Sequence, residues 1–349
     1  MAITRSRERA IVLAVAIAIG IATAAIHHLW ELKGSERLIG SDIYNVWNEG
    51  RKLFEGTNPY TRIVGRSMRD NDNFPTYLPL TYLFSAALQH FEIREFPDFL
   101  SLWRRINLVS HLGLGLLTLH IYYQQRKPLL GLIACSILLL GRWSTYIIDV
   151  QHLEFPAILA IIAAGHQLNR RPTLSALLFS LSLCIKHIAI ILLPCFLLVL
   201  IAESASTNTR HNTRPKWRRL LQYCLVAFAL PAALSVPFLL NSPDGFLMSM
   251  LFSASRGTSS HGIATGTEMI LLSVDQTRLL MGGLFVMGWI VQAKQRLNVW
   301  LASTLTLLIF LQFSPVVFAQ YYIWITAFLL IAFAYLTPPA RSEQPAISS

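Results

Sequence analysis

Long apolar runs separated by short polar stretches set the character of this chain. They fall at about 10–30, 78–91, 106–123, 129–148, 153–168, 173–201, 219–240, 278–293, 298–313 and 318–336. Several exceed the ~18 apolar residues that a helix needs to cross a bilayer. No stretch between turn signals shows the period-two alternation that a membrane barrel strand requires. The pattern predicts an all-α polytopic membrane protein with about 9–11 membrane helices.

Three segments depart from simple spans. Positions 43, 46, 47, 50, 53 and 54 recur at helical spacing, which predicts an amphipathic helix in an outer loop, lying on the membrane interface. The run 173–201 is interrupted near its middle by Lys186-His187, leaving two arms too short to span alone. That predicts a broken, re-entrant helix pair, tolerated only where it lines a cavity. The run 78–91, bounded by Pro79 and the charged stretch Glu92–Arg105, is expected to dip into the outer face or lie along it. The first run follows Arg5, Arg7 and Arg9 but is too long for a signal core, so it is read as a retained helix.

Composition agrees with this picture. The 349 residues are 54% hydrophobic and 13% charged, where a soluble domain carries roughly a quarter charged. The net charge of +11 fits basic loops on the cytoplasmic side better than a nucleic-acid surface. Those loops hold Arg5/Arg7/Arg9, Arg126/Lys127, Arg170/Arg171, the run Arg210 to Arg219, Lys294/Arg296 and Arg341. They put both termini in the cytoplasm and leave 31–105, 147–153, 241–277 and the Ser314–Tyr322 turn outside. A single transmembrane domain is expected over 1–336, with a disordered cytoplasmic tail at 337–349. The loops 31–105 and 241–277 are too long for mere connectors. Cys135, Cys184, Cys195 and Cys224 lie inside apolar runs and read as small buried hydrophobes.

Ionisable groups near or within apolar runs are the first candidates for chemistry. Asp42 lies just past the first run, ahead of Tyr44, Trp47 and the turn Gly56-Thr57-Asn58-Pro59-Tyr60. It is read as a general base at the mouth of a membrane-embedded site, a role compatible with capping a helix beside Ser41. Lys186-His187 is read as an anion site; the competing reading is a lysine that snorkels or pairs with a buried acid such as Asp149. Asp149-Val150-Gln151-His152-Leu153-Glu154 is a polar knot between two apolar runs, either solvated or functional. Gln320-Tyr321-Tyr322-Ile323-Trp324 opens the last run with polar aromatics, which an interfacial belt explains equally well. Arg256, His261 and Glu268 stand among Gly and Ser residues in a loop suited to a lid. No Walker loop, dinucleotide fingerprint, zinc spacing or nucleophile elbow is present.

Four of these places, in this order, resemble the GT-C superfamily of integral-membrane glycosyltransferases, and within it the polyprenyl-phosphate-mannose-dependent mannosyltransferases. They are Asp42 through Gly56-Thr57-Asn58-Pro59-Tyr60; Phe74-Pro75-Thr76-Tyr77-Leu78-Pro79-Leu80; Gln151 with Leu183-Cys184-Ile185-Lys186; and Ser314-Pro315 with Gln320-Tyr321-Tyr322-Ile323-Trp324. The resemblance implies transfer of a hexose, mannose first, from a polyprenyl-phosphate donor to a glycolipid or glycan hydroxyl by inverting displacement. It implies action at the extracytoplasmic face of the cell membrane, with no metal or other cofactor and no nucleic-acid partner. Asp42 would be the base. Lys186, His187, Arg51 and Arg256 would face the donor phosphate. Tyr44, Asn58, Tyr60, Tyr77, Gln151, His152, Gln320 and Tyr321 would contact substrate. The rival readings are a transporter of lipid-linked sugars, which predicts two related halves that the sequence lacks, and a non-catalytic subunit.

Overall fold

A computed structural model describes residues 2–62, 75–206, 216–255, 273–314 and 318–336. Helices form where local chemistry favours a start. Proline, whose fixed φ suits a first turn, opens α3 (Pro79–His90), α5 (Pro128–Leu140) and α8 (Pro172–Ile185), and sits in the first turn of α4 (Phe96–Gln124). Ser273 and Asn298 cap α12 (Val274–Ala293) and α13 (Val299–Phe313) with side-chain hydrogen bonds. The remaining helices are α1 (Ala2–Glu31), α2 (Asp42–Phe54), α6 (Arg142–Val150), α7 (Glu154–Gln167), α9 (Leu193–Ser206), α10 (Lys216–Asn241), α11 (Pro243–Ser255) and α14 (Tyr321–Leu336). Among the described residues there is no strand. Arg256, His261, Glu268, Pro315 and the tail 337–349 lie outside the described residues.

Three helical stretches are long and apolar enough to cross a membrane: Ala10–Glu31, Pro128–Val150 and Trp217–Asn241. Shorter apolar helices cover Pro172–Ile185, His187–Ala202, Val299–Phe313 and Tyr321–Leu336. The protein is therefore an all-α membrane protein. At 12 residues, α3 is about 18 Å long, well short of the ~30 Å hydrocarbon core.

Two apolar cores meet end to end. The larger joins α4, α7, α8, α9 and α14 through Leu114, Ile158, Phe179, Phe196, Trp324 and Phe328. The smaller gathers Ile43, Trp47, Tyr82, Phe99, Phe238 and Phe246 from α2, α3, the start of α4, the end of α10 and α11. Leu153, in the turn between α6 and α7, belongs to this second core. Ile185, the last residue of α8, packs against both. The junction of the cores is thus where α6, α7 and α8 present their ends to the loop layer.

The apolar face of α2 was expected to rest on the membrane interface, and the structure corrects this. Ile43, Val46, Trp47 and Gly50 are buried against protein, with only Phe54 of that set largely exposed. The face fits α3 so closely that a Cβ on Gly50 would lie 2.3 Å from Ser85 Cβ. Ser85 Oγ and Gln89 Nε2 also donate to the Trp47 carbonyl, each at 3.3 Å.

Gly50→Val forces α2 and α3 apart and is expected to cost about 1–3 kcal/mol. Thermal unfolding of the detergent-solubilised protein measures this. An unchanged midpoint would mean that the two helices do not meet at Gly50.

Candidate functional site

At the junction of the two cores the structure gathers Asp42, Tyr77, His152, Glu154, Lys186 and Tyr321. Asp42 opens α2 directly after the N-cap residue Ser41, where free amides and the helix dipole favour an acid. Its side chain is 38% exposed, so the carboxylate faces an opening. Tyr77 Oη donates to Asp42 Oδ2 at 2.6 Å, and His152 Nδ1 stands 3.0 Å from the same oxygen. Both contacts therefore fall on Oδ2. Lys186, deeper in, forms an ion pair with Glu154, and its ammonium lies 5.9 Å from the Tyr77 ring centre and 5.6 Å from that of Tyr321. Tyr77 thus spans the distance from the acid to the lysine.

The loop layer fixes these side chains through their backbones. The Tyr77 carbonyl accepts from Tyr60 Oη at 2.7 Å, while its N–H donates to Tyr82 Oη at 3.1 Å. Ser249 of α11 donates to the Pro75 carbonyl. On the other side, α6 ends at Gln151 in the left-handed region, φ 54° and ψ 39°. A side chain there needs its surroundings to hold it. Trp103 Nε1 donates to the Gln151 carbonyl at 3.0 Å, and Asn107 Nδ2 reaches Gln151 Oε1 at 3.1 Å and the His152 carbonyl at 3.3 Å. That clamp reverses the chain so that His152 and Glu154 point back toward Asp42 and Lys186.

Lys186 marks the break expected in 173–201. Its backbone is extended, φ −147° and ψ 109°, and a 3₁₀ turn over His187–Leu192 follows before α9 begins. The competing reading of the lysine, a pairing with a buried acid, holds in the structure, but that acid is Glu154 and not Asp149. Asp149 is held by Arg37, which also donates to the Asp149 carbonyl at 2.7 Å. The pairing follows from the hairpin of α7 and α8, whose antiparallel contact is also fixed by Ser182 Oγ donating to the Ala157 carbonyl at 2.8 Å.

The other candidates are distributed differently. Arg51 sits more than two turns along α2, bonded to Asn48 at 3.3 Å and lying over Trp47, away from the cluster. Tyr44 packs edge-on against Phe96 with ring centres 5.0 Å apart. Asn58 bonds Asn241 at 2.7 Å, and Tyr60 is wholly buried. Gln151 spends its amide on Asn107 and the Ile148 carbonyl. His187 adjoins Lys186 on the 3₁₀ turn, and Gln320 is buried in the turn before α14. The sequence reading passed over Glu154 as a site residue, and also Tyr146, whose ring centre is 6.4 Å from that of His152.

Burial by itself would raise the Asp42 carboxyl. The close His152 ring, the Lys186 ammonium and the Tyr77 hydroxyl overcome it and hold the group well below the usual carboxylate range. Burial and the Asp42 charge push the Tyr77 phenol far above its ordinary value, so it stays a hydrogen-bond donor. The cluster can accordingly present an ionised carboxylate beside a cation over the whole physiological range.

A groove of about 1080 Å3 runs between α1, α4 and α5, walled by Val12, Ala16, Leu112 and Leu116 with Arg126 at its end. It follows the second half of α4 toward Arg126, whereas the cluster adjoins the first half.

The sequence model of the ALG6, ALG8 glycosyltransferase family matches residues 103–337, about two-thirds of the chain. No curated protein matches it. The matched stretch includes His152, Glu154, Lys186 and Tyr321, and Asp42 and Tyr77 precede it.

A carboxyl lowered in the folded state contributes stability that is present above its unfolded pKa and lost as pH falls through the folded value. The stability difference between wild type and Asp42→Asn is therefore expected to hold from neutrality down to about pH 4 and to shrink progressively below it. In a His152→Ala background it should be smaller at neutrality and be fully lost at a higher pH. Melting midpoints between pH 3 and 7 check both, and a difference already lost near pH 6 in wild type would contradict the lowered carboxyl.

Proposed function

The chain belongs to the ALG6, ALG8 glycosyltransferase family, and from that premise we propose that it transfers a hexose from a polyprenyl-phosphate donor to an acceptor hydroxyl at the extracytoplasmic membrane face. One observation carries this reading. A half-buried, ionised carboxylate and a buried ammonium share a single cluster, bridged by one tyrosine.

The roles follow from where charge changes during transfer. The acceptor oxygen loses its proton as it attacks the anomeric carbon, and Asp42 is the base that takes it. With Oδ2 bonded by Tyr77 and facing His152, Oδ1 is the oxygen for this proton. General-base help of this kind is typically worth ~10²–10⁴ in rate. On the opposite side of the sugar the bond from carbon to phosphate oxygen breaks, and its electron pair leaves with the polyprenyl phosphate. Lys186 is the fixed cation for that growing charge, which favours the transition state over the ground state. A single displacement inverts the anomeric centre. The donor's monophosphate linkage asks only for a protein cation. Mannose is the first sugar to test, and the polar rim of Asp42, His152 and Tyr321 is the place to seek its contacts.

Asp42→Asn keeps the shape and removes the base. Transfer from polyprenyl-phosphate mannose or another polyprenyl-phosphate hexose should fall about 10²-fold or more, with donor binding retained. Transfer at the wild-type rate would remove Asp42 from the mechanism. Lys186→Met should weaken donor binding and turnover together, and unchanged values for both would return the lysine to a purely structural role. Mass spectrometry of envelope glycolipids from cells lacking the protein names the sugar and its acceptor.

A further inference from the structure

Lys186 already has an acidic partner within the protein. Its ammonium is paired with Glu154, and the two side chains are only 5% and 0% exposed. The rings of Tyr77 and Tyr321 flank the same ammonium. The second Glu154 oxygen is buried with no hydrogen-bond partner, so the carboxylate is held in place by the lysine rather than by a network of its own. A phosphate brought to the lysine must share its ammonium with this carboxylate, whose negative charge opposes it.

We propose that Glu154 is a competing counterion that governs how tightly the site holds phosphate. It pairs with Lys186 until the donor enters, shares it with the donor phosphate, and recovers it as polyprenyl phosphate leaves. This deepens the proposed function and rests on it. The charge balance gives the reason. The donor is a phosphodiester with one negative charge, whereas the product is a phosphomonoester that carries nearly two near neutrality. A lone buried lysine would therefore hold product more firmly than donor, and each turnover would end in a stalled complex. A resident carboxylate in contact with the ammonium opposes both anions, and the doubly charged one more. Glu154 pairs with Lys186 and is given no contact with the reacting atoms, so its role is that of a positioning residue acting through the lysine.

Binding of polyprenyl monophosphate to the full-length protein in detergent or nanodiscs tests this directly. Glu154→Gln keeps the volume and removes the charge, and it should bind the product about tenfold more tightly than wild type. It should also lower the donor KM and kcat together, because release becomes limiting. Should the glutamine variant fail to fold, Glu154→Asp, which keeps the charge but shortens its reach, should bind the product about threefold more tightly. In a Lys186→Met background the Glu154→Gln change should have no further effect on product binding. Equal or weaker product binding in the folded Glu154 variants would overturn the inference, as would the same effect with and without the lysine. These outcomes are separate from failure of the functional reading itself. In that case wild type would neither bind polyprenyl phosphate nor transfer from any polyprenyl-phosphate hexose, and the inference would fall with it.

Discussion

The contact between Glu154 and Lys186 is the constraint around which the rest is arranged. An ammonium among apolar helices is costly unless an acid meets it there, and removing one partner of such a pair typically costs about 3–5 kcal/mol. Meeting that demand sets the relative depth of α7 and α8. It also accounts for the extended residue between α8 and the 3₁₀ turn, where the main chain leaves the helix at the lysine itself. Once the depth is set, the turn before α7 must bring His152 to the same level, and Asp42 then completes the cluster from the loop layer.

That loop layer works as a frame rather than a lid. Tyr60, Tyr82 and Ser249 address the backbone at Pro75 and Tyr77, and Trp103 and Asn107 address the backbone at Gln151 and His152. Their polar atoms are consumed in this task. Several aromatic and amide side chains that looked available for substrate are therefore internal supports. The groups left with their chemistry facing one another are an acid, an imidazole, a phenol and a cation, drawn from four separate stretches of chain. Such convergence on one spot is what a transfer reaction with a proton to remove and an anion to stabilise requires.

Much of the architecture was legible in the pattern of apolar positions. The helical spacing of Ile43, Val46, Trp47 and Gly50 announced α2 and its buried face; only the surface that covers it was misjudged, because periodicity cannot distinguish lipid from a neighbouring helix. Lys186 stood out as a cation inside an apolar run, and Asp42 as an acid without a packing reason. The partner of Lys186 was harder to see, since an acid in the first turn of a helix is ordinarily explained by the dipole. A signal existed nonetheless. Glu154 stands sixteen residues before Arg170 and Lys186 sixteen after it, and residues equidistant from a tight helical hairpin turn come to the same depth. Arg51 and Tyr44 lie close to Asp42 in sequence, but the helix carries each to its own face and height. The inward role of Gln151 depended on tertiary contacts with α4 that no local pattern records.

The central claim is that Asp42 and Lys186 serve one substrate from two sides. A structure of the protein with a non-transferable polyprenyl-phosphate hexose bound tests it most directly. The account predicts the phosphate within hydrogen-bonding distance of the Lys186 ammonium and the anomeric carbon between that phosphate and Asp42. Phosphate seated instead in the groove beside Arg126 would contradict it.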